Sequence, residues 1–442
     1  MQREMHLRKW LFKKKGRFMK ITELIEALKG TTIDQTMIRL YGDDEIAHQK
    51  ERWTSVLYKA LAIYGDREAM LFSAPGRTEV GGNHTDHQLG RVLAASINLD
   101  IACVVIPTEE NVVRYASAGF TVKPVNLDSL EIVPEEKNTT EALIRGVAAG
   151  LVRRGYKAGG FSAYAETDVI AGGGMSSSAA FEVLIGTIES YLYNNAEVSA
   201  ETIAKTGQYA ENVYFMKASG LMDQMACSVG SFCAIDFYDN ENPVVEKVDF
   251  NPADYGMKLI LTDVRASHAD LSDEYSAIPF EMKAAAKVMG QDVLSRCTKQ
   301  DFLANASKIR EEAGDRAFLR AYHFLNETER AAAEADALRS GDLQEFLNLV
   351  NESGRSSYMF LQNIMVPSDT RHQAVAAALA LSEEVLGRKG ACRVHGGGFA
   401  GTVQAFVPDD LADTYISTME SVFGSGCCYT LRIRDCGGIR IA

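Results

Sequence analysis

The stretch Asp168-Val169-Ile170-Ala171-Gly172-Gly173-Gly174-Met175-Ser176-Ser177-Ser178-Ala179-Ala180 places three glycines and three serines between a strand pattern and a helix pattern. Glycine lets the backbone approach an anion without a Cβ clash, and the free N–H groups of a helix's first turn point at negative charge. Serine hydroxyls add hydrogen bonds or a metal ligand. The stretch therefore predicts a phosphate-binding loop, although such a run is also typical of a turn or a helix cap.

Two widespread nucleotide-binding motifs are disfavoured. The chain has no G-x-x-x-x-G-K-[ST] sequence, so it lacks the loop lysine of ordinary P-loop NTPases. Gly396, Gly398 and Gly401 fit the spacing G-x-G-x-x-G, but residues 402–407 read as a strand, whereas a dinucleotide site requires a helix there. We therefore expect a glycine-rich connection between two strands, which either approaches the substrate or is a purely structural turn.

A second polar stretch, residues 75–87, gathers hydrogen-bonding side chains around three glycines. Asp86 is able to accept two hydroxyl groups at once, while Asn83 and the histidines both donate and accept, as recognition of a polyol demands. The alternative is a polar turn between strands.

A third stretch contains Glu211 and, after Gly220, Asp223. Its pattern predicts a helix that carries Glu211 and stops at Gly220, followed by a helix that Asp223 opens. Asp223 is accordingly a candidate reactive carboxylate or a simple helix N-cap.

Together these stretches resemble the GHMP sugar kinases and, among them, the galactokinases. Residues 76–87 resemble G-R-x-N-L-I-G-E-H-T-D-Y, residues 172–179 G-G-G-L-S-S-S-A, residues 210–224 A-E-N…G-I-M-D-Q, and residues 393–401 R-M-T-G-G-G-F-G-G. The resemblance covers nearly the whole chain after about residue 35. Four motifs in the same order make a chance match a poor explanation.

The alternation of strands and helices predicts an α+β fold. The resemblance implies an N-terminal lobe of mixed sheet and helices, a C-terminal lobe with ferredoxin-like topology, and a site between them. We expect a basic, disordered leader at 1–19, unless Met19 is the true start, then a sugar- and ATP-binding domain at 20–245 and a GHMP kinase domain at 246–442.

Composition narrows the class of protein. The 442 residues are 46% apolar and carry a net charge of -13, which suits a large-cored enzyme and disfavours nucleic acid and acidic membranes as partners. No apolar run reaches membrane-span length. Eight scattered cysteines show no zinc spacing and no secretion signal precedes them, so we expect a cytoplasmic enzyme without structural metal or obligatory protein partner.

The resemblance implies roles for individual residues. It also implies that the reaction uses ATP and Mg²⁺. Asp223 would lie at the anomeric hydroxyl of the sugar, as base or electrostatic partner, and Arg77 beside it. The remaining assignments are, for the sugar, Asn83, His84, Asp86, Gly220, Asp223 and Tyr275; for ATP, Gly172, Gly173, Gly174, Met175, Ser176, Ser177 and Ser178; and for Mg²⁺, Ser176, Ser177 and Glu211. Tyr275 rests on a short S-E-Y match and is equally well read as a core tyrosine.

The expected reaction is phosphorylation of galactose at C1. Asn83 and His87 stand where galactokinases have Glu and Tyr, and that Glu is associated with the sugar's O6 hydroxyl. Loss of its charge makes galacturonate, or another galactose derivative, the alternative substrate, although no arginine or lysine is identified to pair with a buried carboxylate. A non-catalytic galactose and ATP sensor is a further alternative; the intact run from Ser176 to Ala179 argues for an enzyme.

Overall fold

The computed structural model describes residues 18–170, 174–217, 219–266, 271–399 and 401–442. The strands are β1 (Met19–Lys20), β2 (Glu68–Gly81), β3 (Arg91–Pro107), β4 (Val112–Ser117), β5 (Phe120–Thr121), β6 (Val125–Asn126), β7 (Phe161–Thr167), β8 (Phe232–Asp236), β9 (Val244–Val248), β10 (Met257–Asp263), β11 (Ala391–His395), β12 (Thr402–Pro408), β13 (Cys428–Leu431) and β14 (Ile439–Arg440). The helices are α1 (Ile21–Lys29), α2 (Asp34–Tyr41), α3 (Ile46–Tyr64), α4 (Thr140–Arg153), α5 (Ser177–Tyr193), α6 (Ala200–Tyr209), α7 (Met222–Val229), α8 (Ser272–Val288), α9 (Lys299–Ala304), α10 (Ala306–Glu312), α11 (Asp315–Ser340), α12 (Leu343–Ser356), α13 (Ala374–Leu386) and α14 (Ala412–Phe423).

The first sheet is built around the long strands β2 and β3. Its main order is β1-β2-β3-β7-β4-β5, with β8 on β3, β9 on β8, β6 on β4 and β14 on β2. All pairs are antiparallel except β4 with β7. Helices α4 and α5 cover one face and bury Val147, Val183 and Ile188 against the apolar residues of the strands. The continuous apolar runs of β2 and β3 are what a strand buried on both faces requires.

Strand β2 is irregular where it carries the polar motif. Its register against β3 shifts between Pro75 and Arg77 and again between Glu79 and Gly81. A bulge of this kind redirects side chains and is common beside active sites. The shifts coincide with the segment that the sequence marks for substrate recognition.

The second sheet has the order β11-β12-β10-β13 and is antiparallel throughout. In chain order the strands and helices follow a βαββαβ path, which is the ferredoxin-like topology. Helices α13 and α14 pack on this sheet and bury Leu386, Tyr415 and Met419. The predicted α+β fold and ferredoxin-like lobe are confirmed.

We propose that the boundary between the two domains lies after β9. The expected boundary at residue 245 falls inside this strand, which pairs with β8 from Phe232↔Val248 to Asp236↔Val244. β14 returns to β2, so the C-terminal residues belong to the first sheet. Met19, assigned to the leader, pairs with Ala69 in β1, and residues 1–17 lie outside the described part of the chain. We propose a boundary in the segment 249–256.

The helices of the second domain also pack against the first sheet. Helix α11 lies along β3 and β8, and His323 donates from Nε2 to the carbonyl of Asn83 at 3.0 Å. The N–H of Gly82 donates to Glu327 of the same helix at 3.2 Å. This polar contact positions the motif of β2 against the second domain. Among the described residues, no helix combines the length and apolarity needed to cross a membrane.

Candidate active site

An ion pair between Arg77 and Asp223 lies beside a cavity, and Asp223 is the partner that lines it. Arg77 of β2 donates from Nε and Nη2 to one carboxylate oxygen of Asp223, with both distances 2.7 Å. Its Nη1 donates to the carbonyl of Gly174. The Arg77 side chain is 7% exposed and the Asp223 side chain 32% exposed. The guanidinium is thus fixed, while the carboxylate faces a cavity of about 320 Å³.

Asp223 is held in its ionised form. Burial opposes ionisation, but the Arg77 guanidinium and a hydrogen bond from the Ser176 hydroxyl together lower the pKa of Asp223 below its ordinary value. Helix α7 begins at Met222, with Leu221 at the N-cap, so Asp223 lies in the first turn and its side chain caps nothing. The N-cap interpretation is therefore wrong. The geometry agrees with the other interpretation, a reactive carboxylate.

The serine run lines the same cavity as Asp223. Gly174, Ser176, Ser177 and Ser178 line it, whereas Met175 is buried; Gly172 and Gly173 lie outside the described residues. Ser176 has φ 54° and precedes α5, but its hydroxyl binds Asp223 instead of capping the helix. Positive φ at a residue other than glycine is strained and is found most often at functional sites.

Glu211 lies behind the loop in a cluster of hydrogen bonds. It is 2% exposed and accepts from Ser178 at 3.1 Å, Lys217 at 2.9 Å, Ser219 at 2.7 Å and Gln224 at 2.9 Å. The predicted single helix up to Gly220 is wrong, because α6 ends at Tyr209 and a π-helical turn at Ala210–Phe215 carries Glu211. Such turns are frequent at functional sites.

Two other residues of the polar stretch 75–87, His84 and Asp86, contact segments that carry cavity residues. His84 has φ 60° and donates from Nε2 to the carbonyl of Gly397 at 3.0 Å. Burial, and then His87, lower its pKa to about 4, so the ring is neutral and Nδ1 is an acceptor. Asp86 packs directly on Gly220, where a Cβ would collide with its carboxylate. The chain thus needs glycine at 220 to bring its backbone to Asp86.

Tyr275 lines the cavity and also packs against an apolar core. Its ring lines the cavity, packs edge-to-face on Phe399 at 5.3 Å and occupies the space beside Gly397. Its hydroxyl donates to the carbonyl of Gly398 at 2.9 Å. The residues 396–401 connect two antiparallel strands, so the expectation of a glycine-rich connection that approaches the substrate site agrees with this arrangement.

Asn83 is placed differently from the expectation. Its side chain is fully buried, and Nδ2 donates to Glu79 at 2.7 Å and to the carbonyl of Gly396 at 2.8 Å. Oδ1 accepts from Asn363 at 2.8 Å and from Ser357 at 3.3 Å. Both donors and both acceptor positions are therefore used within the protein. We therefore propose that Asn83 holds the glycine-rich connection in place and does not contact the sugar.

Two cavity residues were missed by the sequence reasoning. Lys217 places an ammonium group at the cavity. It lies in the segment after Glu211, with which it forms an ion pair, and not in the glycine- and serine-rich loop. His395 lines the cavity from the end of β11. A signal for His395 existed, since the motif R-M-T-G-G-G-F-G-G has Thr at its place. No sequence signal singled out Lys217, because the motif A-E-N…G-I-M-D-Q leaves the residues between Asn212 and Gly220 unspecified.

Family models match the two halves of the site. Residues 61–107 match the galactokinase galactose-binding signature, and residues 142–231 match the GHMP kinases N terminal domain. The first region contains Arg77 and the β2 motif, and the second contains the serine run, Glu211 and Asp223.

Solved structures share the fold. Galactokinase of Lactococcus lactis, complexed with galactose, is 23% identical with a TM-score of 0.73, over 86% of this chain and 98% of that chain. Mevalonate kinase of Methanococcus jannaschii is 14% identical with a TM-score of 0.56, over 83% and 98% of the two chains. A D-glycero-D-manno-heptose 1-phosphate kinase from Bacteriodes thetaiotaomicron is 15% identical with a TM-score of 0.55, over 84% and 98%.

The fold, the family signatures and the cavity that they enclose agree with one another. The chain carries the galactokinase galactose-binding signature and the GHMP kinases N terminal domain, and it shares the fold of solved galactokinase and mevalonate kinase structures.

Proposed function

We propose that the protein transfers the γ-phosphoryl group of ATP to the anomeric C1 hydroxyl of galactose, giving galactose 1-phosphate and ADP. The observation that carries the proposal is the Arg77–Asp223 pair, whose carboxylate lines the same cavity as the serine-rich loop. Phosphoryl transfer needs positioning, neutralisation of charge and an acceptor for the nucleophile's proton. The pair supplies a fixed cation and a partly exposed carboxylate for these tasks.

Asp223 acts chiefly as an orienting acceptor. A carboxylate with a lowered pKa is a weak base, so it accepts the hydrogen bond of the C1 hydroxyl and takes the proton late, as negative charge leaves the attacking oxygen. Arg77 cannot lose its own proton and holds Asp223 ionised while its positive charge faces the transferring group. Ser176 orients the second carboxylate oxygen.

The residues around Glu211 fit a magnesium ion. GHMP kinases use ATP as a substrate, and Mg²⁺ when bound would neutralise phosphate charge. Among the described residues no three His, Cys, Asp or Glu side chains are arranged to hold a metal alone. Mg²⁺ typically takes one or two carboxylates and completes its shell with water and phosphate oxygens. We propose Glu211 as its carboxylate, with hydroxyls of Ser176, Ser177 or Ser178, and Ser178 already binds Glu211.

Replacing Glu211 by Gln tests the metal assignment. We expect Glu211→Gln to raise the Mg²⁺ concentration for half-maximal turnover about tenfold or more, since the neutral amide is a poor ligand. Turnover is measured against Mg²⁺ at saturating ATP and sugar. Glu201→Gln, an exposed glutamate in the first turn of α6, is the control. An unchanged Mg²⁺ dependence in Glu211→Gln would remove Glu211 from the metal site.

Galactose is the substrate that the site supports best. The signature match covers the β2 motif, and Asp86, the neutral His84 and Asp223 supply acceptors for sugar hydroxyls. Galacturonate remains the second candidate because His87, with a side chain 38% exposed, lies near His84 at 6.1 Å between ring centres. Two cations beside the site are already paired, Arg77 with Asp223 and Lys217 with Glu211.

A panel of sugars decides the substrate. We expect ADP release with galactose to exceed that with galacturonate and N-acetylgalactosamine in kcat/KM, and phosphorus NMR to place the phosphate on C1. Faster turnover of galacturonate would transfer the proposal to that sugar. Binding of galactose and ATP without ADP release would identify a sensor instead of an enzyme.

We propose a cytoplasmic location. All eight cysteines are free thiols in this structure, as expected in a reducing compartment.

A further inference from the structure

His395 joins the two domains beside the phosphate loop. It ends β11, is 2% exposed, and its Nδ1 lies 2.9 Å from Oγ1 of Thr402 on the neighbouring strand. Its Nε2 lies 3.1 Å from Oγ1 of Thr78 and 3.3 Å from the backbone nitrogen of Glu79, both in β2. One imidazole therefore links the second sheet to the first through both of its nitrogens.

The contacts define one tautomer. A backbone N–H only donates, so Nε2 is the acceptor for Glu79 and the ring hydrogen is on Nδ1, which donates to Thr402. Burial, and then the cations Arg77 and Arg393, hold the pKa of His395 well below its ordinary value. The ring is therefore neutral, and protonation would remove the acceptor of a buried N–H group.

The imidazole of His395 contacts two segments next to Arg77, which are strand β2 and the loop at Gly174. Thr78 follows Arg77 directly in β2, and Gln404 donates to the Thr78 hydroxyl at 2.5 Å. On its other side the ring lies against Gly174, where a Cβ would be 3.1 Å from Nδ1. Gly174 is the residue whose carbonyl accepts from Arg77. The imidazole thus sets the spacing between β2, the phosphate loop and the glycine-rich connection.

This chain departs here from the sequence that it resembles. In R-M-T-G-G-G-F-G-G the third residue is Thr, and His395 takes its place. An imidazole has two nitrogens on opposite edges of a rigid ring, whereas a threonine hydroxyl is a single polar atom close to the backbone. The bond from β11 to the backbone of Glu79 requires the longer side chain.

We propose that His395 is a positioning residue that sets Arg77 and the phosphate loop at the separation that phosphoryl transfer requires. Both of its ring nitrogens bind protein groups, so it acts through β2 and the loop at Gly174. The inference rests on the proposed kinase function, because its effect is measured on turnover. A small displacement of a catalytic group lowers the rate while binding of substrate continues.

Three substitutions test the role. We expect His395→Leu to lower kcat about 100-fold, with both KM values changed less than about threefold, because the loss arises in the transition state. His395→Gln places an amide oxygen near the position of Nε2, keeps the Glu79 bond, and should hold kcat within about tenfold of the parent. His395→Asn keeps a donor near Nδ1 but does not reach Glu79, so it should behave like the Leu variant.

Thermal melting and a surface control separate positioning from stability. His372→Leu changes a side chain that is 76% exposed and should leave kcat unchanged. Equal losses in the Gln and Asn variants, or losses that follow the melting temperature, would overturn the inference. If His395→Leu does not fold, the Gln and Asn pair decides by the same criterion. A parent protein that turns over no sugar would contradict the proposed function itself, which is a different result.

Discussion

Replacement of Asp223 by Asn is expected to lower turnover about 1,000-fold or more while the protein still folds cooperatively. The amide has nearly the same shape and keeps contact with Arg77 and Ser176, but it carries no charge and cannot accept the proton of the sugar hydroxyl. Turnover is measured as ADP release at saturating galactose and ATP. Arg77→Lys is expected to lose most activity as well, because an ammonium does not reproduce the planar guanidinium contact with Asp223 and Gly174.

The chain offers a matched control for this substitution. Asp236 pairs with Arg91 at 2.8 Å and its side chain is 30% exposed, close to the 32% of Asp223. Asp236→Asn therefore removes a carboxylate of similar exposure from an arginine pair away from the cavity, and its turnover should not change. Asp223 would be structural if Asp223→Asn melted early but retained substantial activity. Loss of its charge from the first turn of α7 costs about 0.3–1 kcal/mol of stability, and loss of the ionised partner of buried Arg77 adds to that cost.

Contiguous motifs made much of the fold and of the phosphate side of the site predictable. A strand pattern that ends in glycines and serines before an apolar helix is a local signal, and β7, the loop at 174–176 and α5 follow it. The connection at 396–401 was also predictable, because strand patterns flank it on both sides. These elements depend on neighbours in the chain and little on distant residues.

The contacts between distant segments were not predictable from one sequence. Asn83 reads as an exposed polar residue of a motif, but Asn363, Ser357 and Gly396 of the second domain surround it in the structure. The same holds for Glu211, whose π-helical turn depends on partners such as Gln224 and Ser178. Whether a polar side chain is buried depends on the groups that form hydrogen bonds with it, and only the fold brings those groups together.

Asn83→Glu is expected to cost about 3–5 kcal/mol of unfolding free energy, because it places a second carboxylate against buried Glu79 and breaks the bond to Gly396. Burial already raises the pKa of Glu79, although Arg393 opposes the shift. Two such carboxylates share a proton. Because the pKa of the pair is raised in the folded state, the variant keeps its stability at low pH and loses it as the pH rises through that pKa. Melting temperatures at pH 5 and pH 8 measure this loss, with exposed Asn348→Glu as the control.

The double variant Glu79→Asn/Asn83→Glu tests whether the two positions act as a pair. The motif G-R-x-N-L-I-G-E-H-T-D-Y has Asn and Glu at the places of Glu79 and Asn83, so this chain holds the same two side chains in exchanged order. The double variant restores one amide donor facing one carboxylate, next to Arg393, which donates to the same Glu79 oxygen as Asn83. We expect it to recover about 2 kcal/mol or more of the loss in Asn83→Glu, since coupled neighbours deviate from additivity by amounts of this size. Losses that simply add would show that the pair is not coupled.

Because Asn83 is buried away from the cavity, turnover of galactose and of galacturonate should fall in the same proportion in Asn83→Glu. A selective loss with galacturonate would show that position 83 contacts the sugar.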